Sequence, residues 1–182
     1  YYVATLLTTL IVSYIATGAC FIYIAIEGWF LSVGDVFLIL IDVFLLTLFG
    51  TAISSIINSF LSTQGQISAV GTIVSAGYGF ICGAYMPISQ FSPFLQKAIA
   101  FLPGTYGTSL IRNHALNGVY KEMANQFPAE VIEGIKDSID CNIYFFDNKV
   151  SIPAMYIILI CSIIVLIGAY VLINALKNRK AR

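Results

Sequence analysis

Val36-Phe37-Leu38-Ile39-Leu40-Ile41-Asp42-Val43-Phe44-Leu45-Leu46-Thr47-Leu48-Phe49 opens an apolar run that continues to about Leu61 and holds one ionisable residue, Asp42. About 20 apolar residues cross the hydrocarbon core of a bilayer as a helix, so this run is long enough to span it. Runs at about residues 3–26 and 153–176 are of the same kind, and the run at about 67–86 follows a tight polar turn, Ser62 to Gln66, that predicts an antiparallel return. The whole composition agrees. Of 182 residues, 59% are hydrophobic and 10% charged, with 9 Lys+Arg against 9 Asp+Glu and a mean hydropathy of +0.90. A soluble domain carries roughly a quarter charged residues, and neither a disordered chain nor a nucleic-acid binder with a basic surface has this balance. The chain enters apolar sequence at Tyr1 with no initiating Met or cleavable leader, and so reads as the C-terminal part of a longer chain.

Between the third and fourth runs the sequence changes character. Pro87, Pro93 and Pro103 divide it into pieces too short to cross a bilayer. Ser92-Pro93 reads as an N-cap with Pro at the first helical position, and Pro103-Gly104 as a turn before a helix from Thr105 to about Leu116. A re-entrant helical hairpin is therefore expected at about 92–116. Backbone broken at membrane depth must be covered by protein or line a water-filled cavity. An acidic loop follows at about 117–151, starting at Asn117-Gly118. Inside it Pro128 marks a helix start, and Val131, Ile132, Ile135 and Ile139 recur at helical spacing, which predicts a short amphipathic helix lying over the membrane domain. The fold expected is all-α integral membrane: four transmembrane helices, a re-entrant helical hairpin and a short amphipathic extracellular helix, in one domain. Lys177, Arg179, Lys180 and Arg182 put the C-terminus in the cytoplasm of a cell membrane, and four spans then put the N-terminal end there too. The cations between Pro87 and Ile152 are spread out and mixed with acids, and do not outweigh that cluster.

Gly71, Ser75, Gly79 and Gly83 recur every fourth residue along the third run. Small side chains at this spacing let another helix approach closely, within this chain or from a second copy, and packing is favoured over direct substrate contact. Asp42 is costly inside a span, so it faces protein or a cavity. Two readings stand equally: a ligand for a polar or cationic group on a substrate pathway, or a hydrogen-bonded or protonated acid near the outer interface. Asn58 reads as an interhelical hydrogen-bonding group or part of a pathway. Arg112 reads as a snorkelling cation or the outer end of a pathway, and His114, the sole histidine, as structural. No cysteine or histidine spacing suggests a metal site or a disulfide framework. The phosphate-loop, H-E-x-x-H and G-x-S-x-G patterns are absent from this stretch, which leaves nucleotide hydrolysis and hydrolase chemistry without their parts.

The stretch from Gly83 through Met86-Pro87 to Leu102-Pro103-Gly104-Thr105 resembles the signature region of ABC-2 type permeases, the membrane subunits of bacterial ABC exporters. Gly83, Pro87 and Pro103 carry the match, in order with respect to the spans, and the final span and basic tail extend the likeness over nearly the whole chain. The resemblance implies a non-enzymatic transport subunit exporting a hydrophobic or amphipathic substrate such as a drug, antimicrobial peptide, lipid or glycan. It implies a dimer with a second or related permease, contact with membrane lipids, and cytoplasmic ABC ATPase subunits that bind the ATP and magnesium. The four runs correspond to the last four of the family's six spans. The acidic loop of about 30 residues before the last span departs from the commonest members. A membrane scaffold or immunity-type protein, or a lipid-modifying membrane enzyme using Asp42, Arg112 and His114, are the rival readings.

Overall fold

A computed structural model describes residues 2–180. The described residues form seven α-helices and one small hairpin: α1 (Tyr2–Glu27), α2 (Val33–Ser59), α3 (Gln64–Ile81), α4 (Pro93–Ile99), α5 (Pro103–Met123), α6 (Ala129–Ser138), β1 (Tyr144–Phe145), β2 (Asn148–Lys149) and α7 (Ile152–Lys180). Three helices, over Tyr2–Glu27, Val33–Ser59 and Ile152–Lys177, are long and apolar enough to cross a membrane, which marks a membrane protein.

Helix α2 is the central strut. It begins at a capping box, where the Ser32 hydroxyl accepts the Asp35 amide at 3.2 Å and the Asp35 carboxylate accepts the Ser32 amide at 3.0 Å, so two otherwise orphaned donors are satisfied. Its buried residues Asp35, Ile39, Asp42, Phe49 and Ala52 recur at three- and four-residue steps, which puts them on one seam. Helix α1 packs antiparallel to it and has no buried residue, leaving Ile11, Ile15 and Ile22 facing outward. Helices α5 and α7 close the other side. Tyr106 and Leu110 of α5 meet Met155, Leu159 and Ile163 of α7 and Phe49 of α2 in the main core. At the far end of α7, Lys177 donates to the Ser59 carbonyl and stands 5.5 Å from the Phe60 ring centre.

Helix α3 begins at a second capping box, Thr63 with Gln66, and runs antiparallel to the C-terminal half of α2. It covers 18 residues, roughly 27 Å at 1.5 Å per residue, and is diluted by four glycines and two glutamines. It stops at Ile81, five residues short of the expected end at Met86. The cause is Gly83, at φ +80, a left-handed conformation that favours glycine. The Gly83 amide bonds the Phe80 carbonyl at 3.3 Å and the Ala84 amide bonds that of Gly79 at 3.0 Å, a Schellman closure. Gly83 is therefore the terminator of the helix and not the fourth member of a helical stripe.

The next segment contains a 3-10 turn, Ile88–Gln90, and then α4, which starts at Pro93 as expected, although the Ser92 side chain makes no capping bond. The Leu102-Pro103 turn lies beside Phe49 and Ile53 in the C-terminal half of α2 and beside Cys161 to Leu166 at the middle of α7. Helix α5 then runs to Met123, through Asn117 and Gly118, where the sequence suggested its end at about Leu116. Gly118 is not a breaker here. A Cβ there would lie 2.6 Å from the Phe30 carbonyl carbon and closer still to its oxygen, so glycine lets α5 pass directly against the loop that joins α1 to α2.

The expected loop at 117–151 is thus ordered for most of its length. Helix α6 follows Pro128 as predicted, with Ile132, Ile135 and Ile139 packed against Tyr120 and Cys141, while Val131 turns outward. Cys141, in the middle of the expected loop, is buried. The β1–β2 hairpin was not foreseen. It turns on Phe146 (φ 46) and Asp147 (φ 68), both left-handed, as a two-residue turn between right-twisted strands requires. An L residue with a Cβ in this region costs roughly 1–2 kcal/mol, so Phe146 holds local strain.

Candidate functional site

Two polar networks and one cleft organise the membrane bundle. The first network runs along the α2 seam. Asp42 is fully buried, with its Oδ2 2.6 Å from His114 Nδ1 of α5, and its Oδ1 accepts the Tyr156 hydroxyl of α7 at 2.5 Å. The His114 and Tyr156 rings stack at 6.2 Å. Seven residues earlier, Asp35 accepts from Asn117 Nδ2 at 2.7 Å. Acids at 35 and 42 on α2 thus meet partners at 117 and 114 on an antiparallel α5. Two turns of one helix answer one turn of the other. In an apolar surround an unpaired carboxyl costs far more than a paired one, so Asp42 ties α2, α5 and α7 together, and Asp35 ties α2 to α5 again two turns nearer the α2 N-terminus.

The second network gathers at the C-terminal end of α3. Arg112 donates to the Gly83 carbonyl and lies 3.4 Å from Asp140 Oδ2. Asp140, itself left-handed at φ 57, accepts the Ile88 amide at 2.5 Å and the Ser89 amide at 3.2 Å. Burial pushes the Asp140 carboxyl above the usual aspartate range, against the opposing pull of those amides and of Arg112. The adjoining Cys141 carbonyl accepts from Ser109 at 2.9 Å and from Asn113 at 2.5 Å. One loop, residues 140–141, therefore pins the Gly83–Ser89 segment to α5. At its surface, Lys149 hydrogen-bonds Glu133 and holds that carboxyl below the usual glutamate range.

The cleft separates α3 from α2. Its volume is about 280 Å³, and Gly71, Val74, Ser75, Tyr78 and Gly79 form one wall opposite Phe49, Gly50, Ser54 and Asn58. The Asn58 amide reaches the Ser54 hydroxyl at 3.4 Å. No close helix approach occurs at Gly71, which has nothing within 4 Å of a built Cβ, while Gly79 faces the Tyr85 ring. Within the chain the small residues line an opening; they do not seal one.

The candidate residues thus divide. Asp42 and His114 meet; Gly83, Pro87 and Arg112 gather around Asp140; Asn58 shares the cleft with Gly71, Ser75 and Gly79; and Pro103 starts α5 at mid-bundle. Arg112 is a partly buried structural cation, which displaces the snorkelling reading. Asp35, Asn117, Tyr156 and Asp140 were missed from sequence. The seven-residue spacing of the two acids and the three-residue spacing of His114 and Asn117 were the available signals. Asp140 offered none. No group of metal-ligating side chains occurs among the described residues. No family model, curated protein or solved structure matches this chain.

Proposed function

We propose that this chain is part of the permease subunit of an ATP-driven exporter of the ABC-2 type, forming the path for a hydrophobic or amphipathic substrate. The observation that carries the reading is the Leu102-Pro103 turn, seated at membrane depth beside the C-terminal half of α2 and the middle of α7. Non-helical backbone at that depth is tolerated only against protein or a water-filled path, and in transporters it adjoins the route of the substrate. The α4–turn–α5 unit is then the re-entrant hairpin, and α3 is a fourth span that completes its crossing with the segment after Gly83. The cleft between α2 and α3, with Asn58 and Ser75 on its walls, is the place where the path opens. Helix α3 moves there against the unit that Asp42, His114 and Tyr156 hold rigid.

In this reading both ends of the fragment are cytoplasmic. A second or related permease completes the enclosure, and ATP and magnesium bind partner ATPase subunits. Their binding energy shifts the permease only in so far as they hold its two states with different affinity. Asp42, fully buried, and His114, 6% exposed, are out of reach of a lipid substrate, which disfavours the enzyme reading. The test is to purify the full-length protein in mild detergent from its own host, identify co-purifying proteins by mass spectrometry and assay ATP hydrolysis. A stoichiometric ATPase whose turnover vanishes when its phosphate loop is mutated supports the exporter. Purification without any ATPase, in several detergents, overturns it in favour of a scaffold.

A further inference from the structure

Phe101, Phe145 and Phe146 form an aromatic cluster on the outside of the molecule. Their ring centres lie 5.2, 6.0 and 4.9 Å apart, all in edge-on geometry, and they are 62%, 37% and 55% exposed. The cluster does not sit above the membrane bundle. With Ala100, Tyr106, Val150 and Ile158 the rings of Phe101 and Phe145 border an apolar groove, and Ile158 lies about 9 Å along α7 from its first residue. The neighbouring Ile157 is 62% exposed on the part of α7 apolar enough to lie in hydrocarbon. The hairpin therefore bends back beside the span, and its aromatic side continues a surface that already faces lipid.

The turn chemistry is an independent sign. Asn-Gly would make this turn without strain, whereas here Phe146 is held left-handed at φ 46. Backbone strain retained at an exposed tip points to a task for the side chain there.

We propose that the β1–β2 tip, together with Phe101, is a membrane anchor seated in the acyl-headgroup boundary of the leaflet at the α7 N-terminal end, with phospholipid as its partner. Apolar Phe rings backed by a polar face bury into the headgroup–acyl boundary, and the polar strand edge behind them, with Asp147 and Lys149, stays wet. The anchor couples the ordered loop to the bilayer whether or not the chain transports anything.

The full-length chain with Trp29 and every other native tryptophan replaced by Phe, carrying either Phe146→Trp or Phe101→Trp, is reconstituted in phosphatidylcholine vesicles. Quenching by lipids brominated high on the acyl chain is compared with quenching by aqueous iodide. Seated rings give blue-shifted emission and lipid quenching several-fold stronger than iodide quenching at both positions. Phe101→Trp leaves the turn untouched, so it reports even where the Phe146 variant misfolds. Red-shifted emission quenched by iodide overturns the proposal, and so does emission quenched by neither agent, which means that protein covers the cluster.

Discussion

Replacing Gly118 by Ala tests whether α5 is docked on the α1–α2 loop as closely as described. A Cβ at this position would stand 2.6 Å from the Phe30 carbonyl carbon, about 0.8 Å inside the 3.4 Å of ordinary contact, the carbonyl oxygen is nearer still and demands a larger shift, and the obstacle is backbone that no side-chain rotation removes. Overpacking of this kind costs typically 1–3 kcal/mol, and a backbone obstacle belongs in the upper part of that range. Ala also gains about 1 kcal/mol over Gly as a helix former, so the net loss is roughly 1–2 kcal/mol. For a chain of this size that lowers Tm by about 2–8 °C. Gly134→Ala supplies the comparison, because nothing lies within 4 Å of a Cβ built there on α6. It keeps only the propensity gain, and raises Tm by about 2–4 °C. Thermal unfolding of the purified protein in one detergent reads both. A Gly118→Ala protein as stable as the Gly134→Ala protein refutes the close approach and the reason given for α5 running past Asn117.

His114→Ala leaves the Asp42 carboxyl fully buried with one partner fewer. Breaking a buried pair costs about 3–5 kcal/mol in soluble proteins, whereas an interhelical hydrogen bond in a membrane averages about 0.6, so about 1–3 kcal/mol is expected. Adding Asp42→Asn returns part of it; an additive double-mutant cycle in reversible detergent unfolding denies the coupling. Asp147→Gly releases the left-handed strain at φ 68 without touching the ring cluster and stabilises the hairpin by about 0.5–1 kcal/mol, visible as slower amide exchange at Val150, whose amide bonds the Ile143 carbonyl at 2.8 Å. The Glu133 carboxyl is held below its ordinary value of 4.5, so its pairing with Lys149 stabilises the loop above that pH and fades as pH falls through the lower folded value. Asp140, raised by burial, contributes in the opposite sense, and Glu133→Gln therefore abolishes acid loosening of β2 from α6, as read by amide exchange at Lys149.

Hydropathy along the sequence locates the three most apolar helices, because the bilayer as solvent leaves few alternatives for a run such as 36–61; of the four runs expected to span, that at 67–86 yields a shorter helix diluted by glycine and glutamine. Turn chemistry was harder. Gly83 and Gly118 look alike in sequence, yet one ends a helix through its left-handed φ and the other keeps a helix continuous past a neighbouring carbonyl; only the neighbour distinguishes them. The hairpin escaped because Phe146-Asp147 lacks the glycine or asparagine that advertises such a turn. Asp42 was legible as costly, but its answer at His114 and Tyr156 depends on how three helices align, and that alignment is set by the packing of Phe49, Leu110 and Leu159. Asp140 became visible only once the chain had folded back over α5.

The bond between Asp42 and Tyr156 joins residues 114 apart in the chain. A ribosome adding 5–20 residues per second needs about 6–23 s to make that interval. During that time α2 is already synthesised with its Asp42 carboxyl incompletely answered: His114 follows 72 residues later and Tyr156 only after 114, while Asp35 has Ser32 of its own capping box from the start. The nascent protein thus has a built-in waiting period, in which an insertase or chaperone must shelter α2, and a chain that stalls before α7 is recognisable to quality control by an Asp42 carboxyl that lacks the Tyr156 hydroxyl.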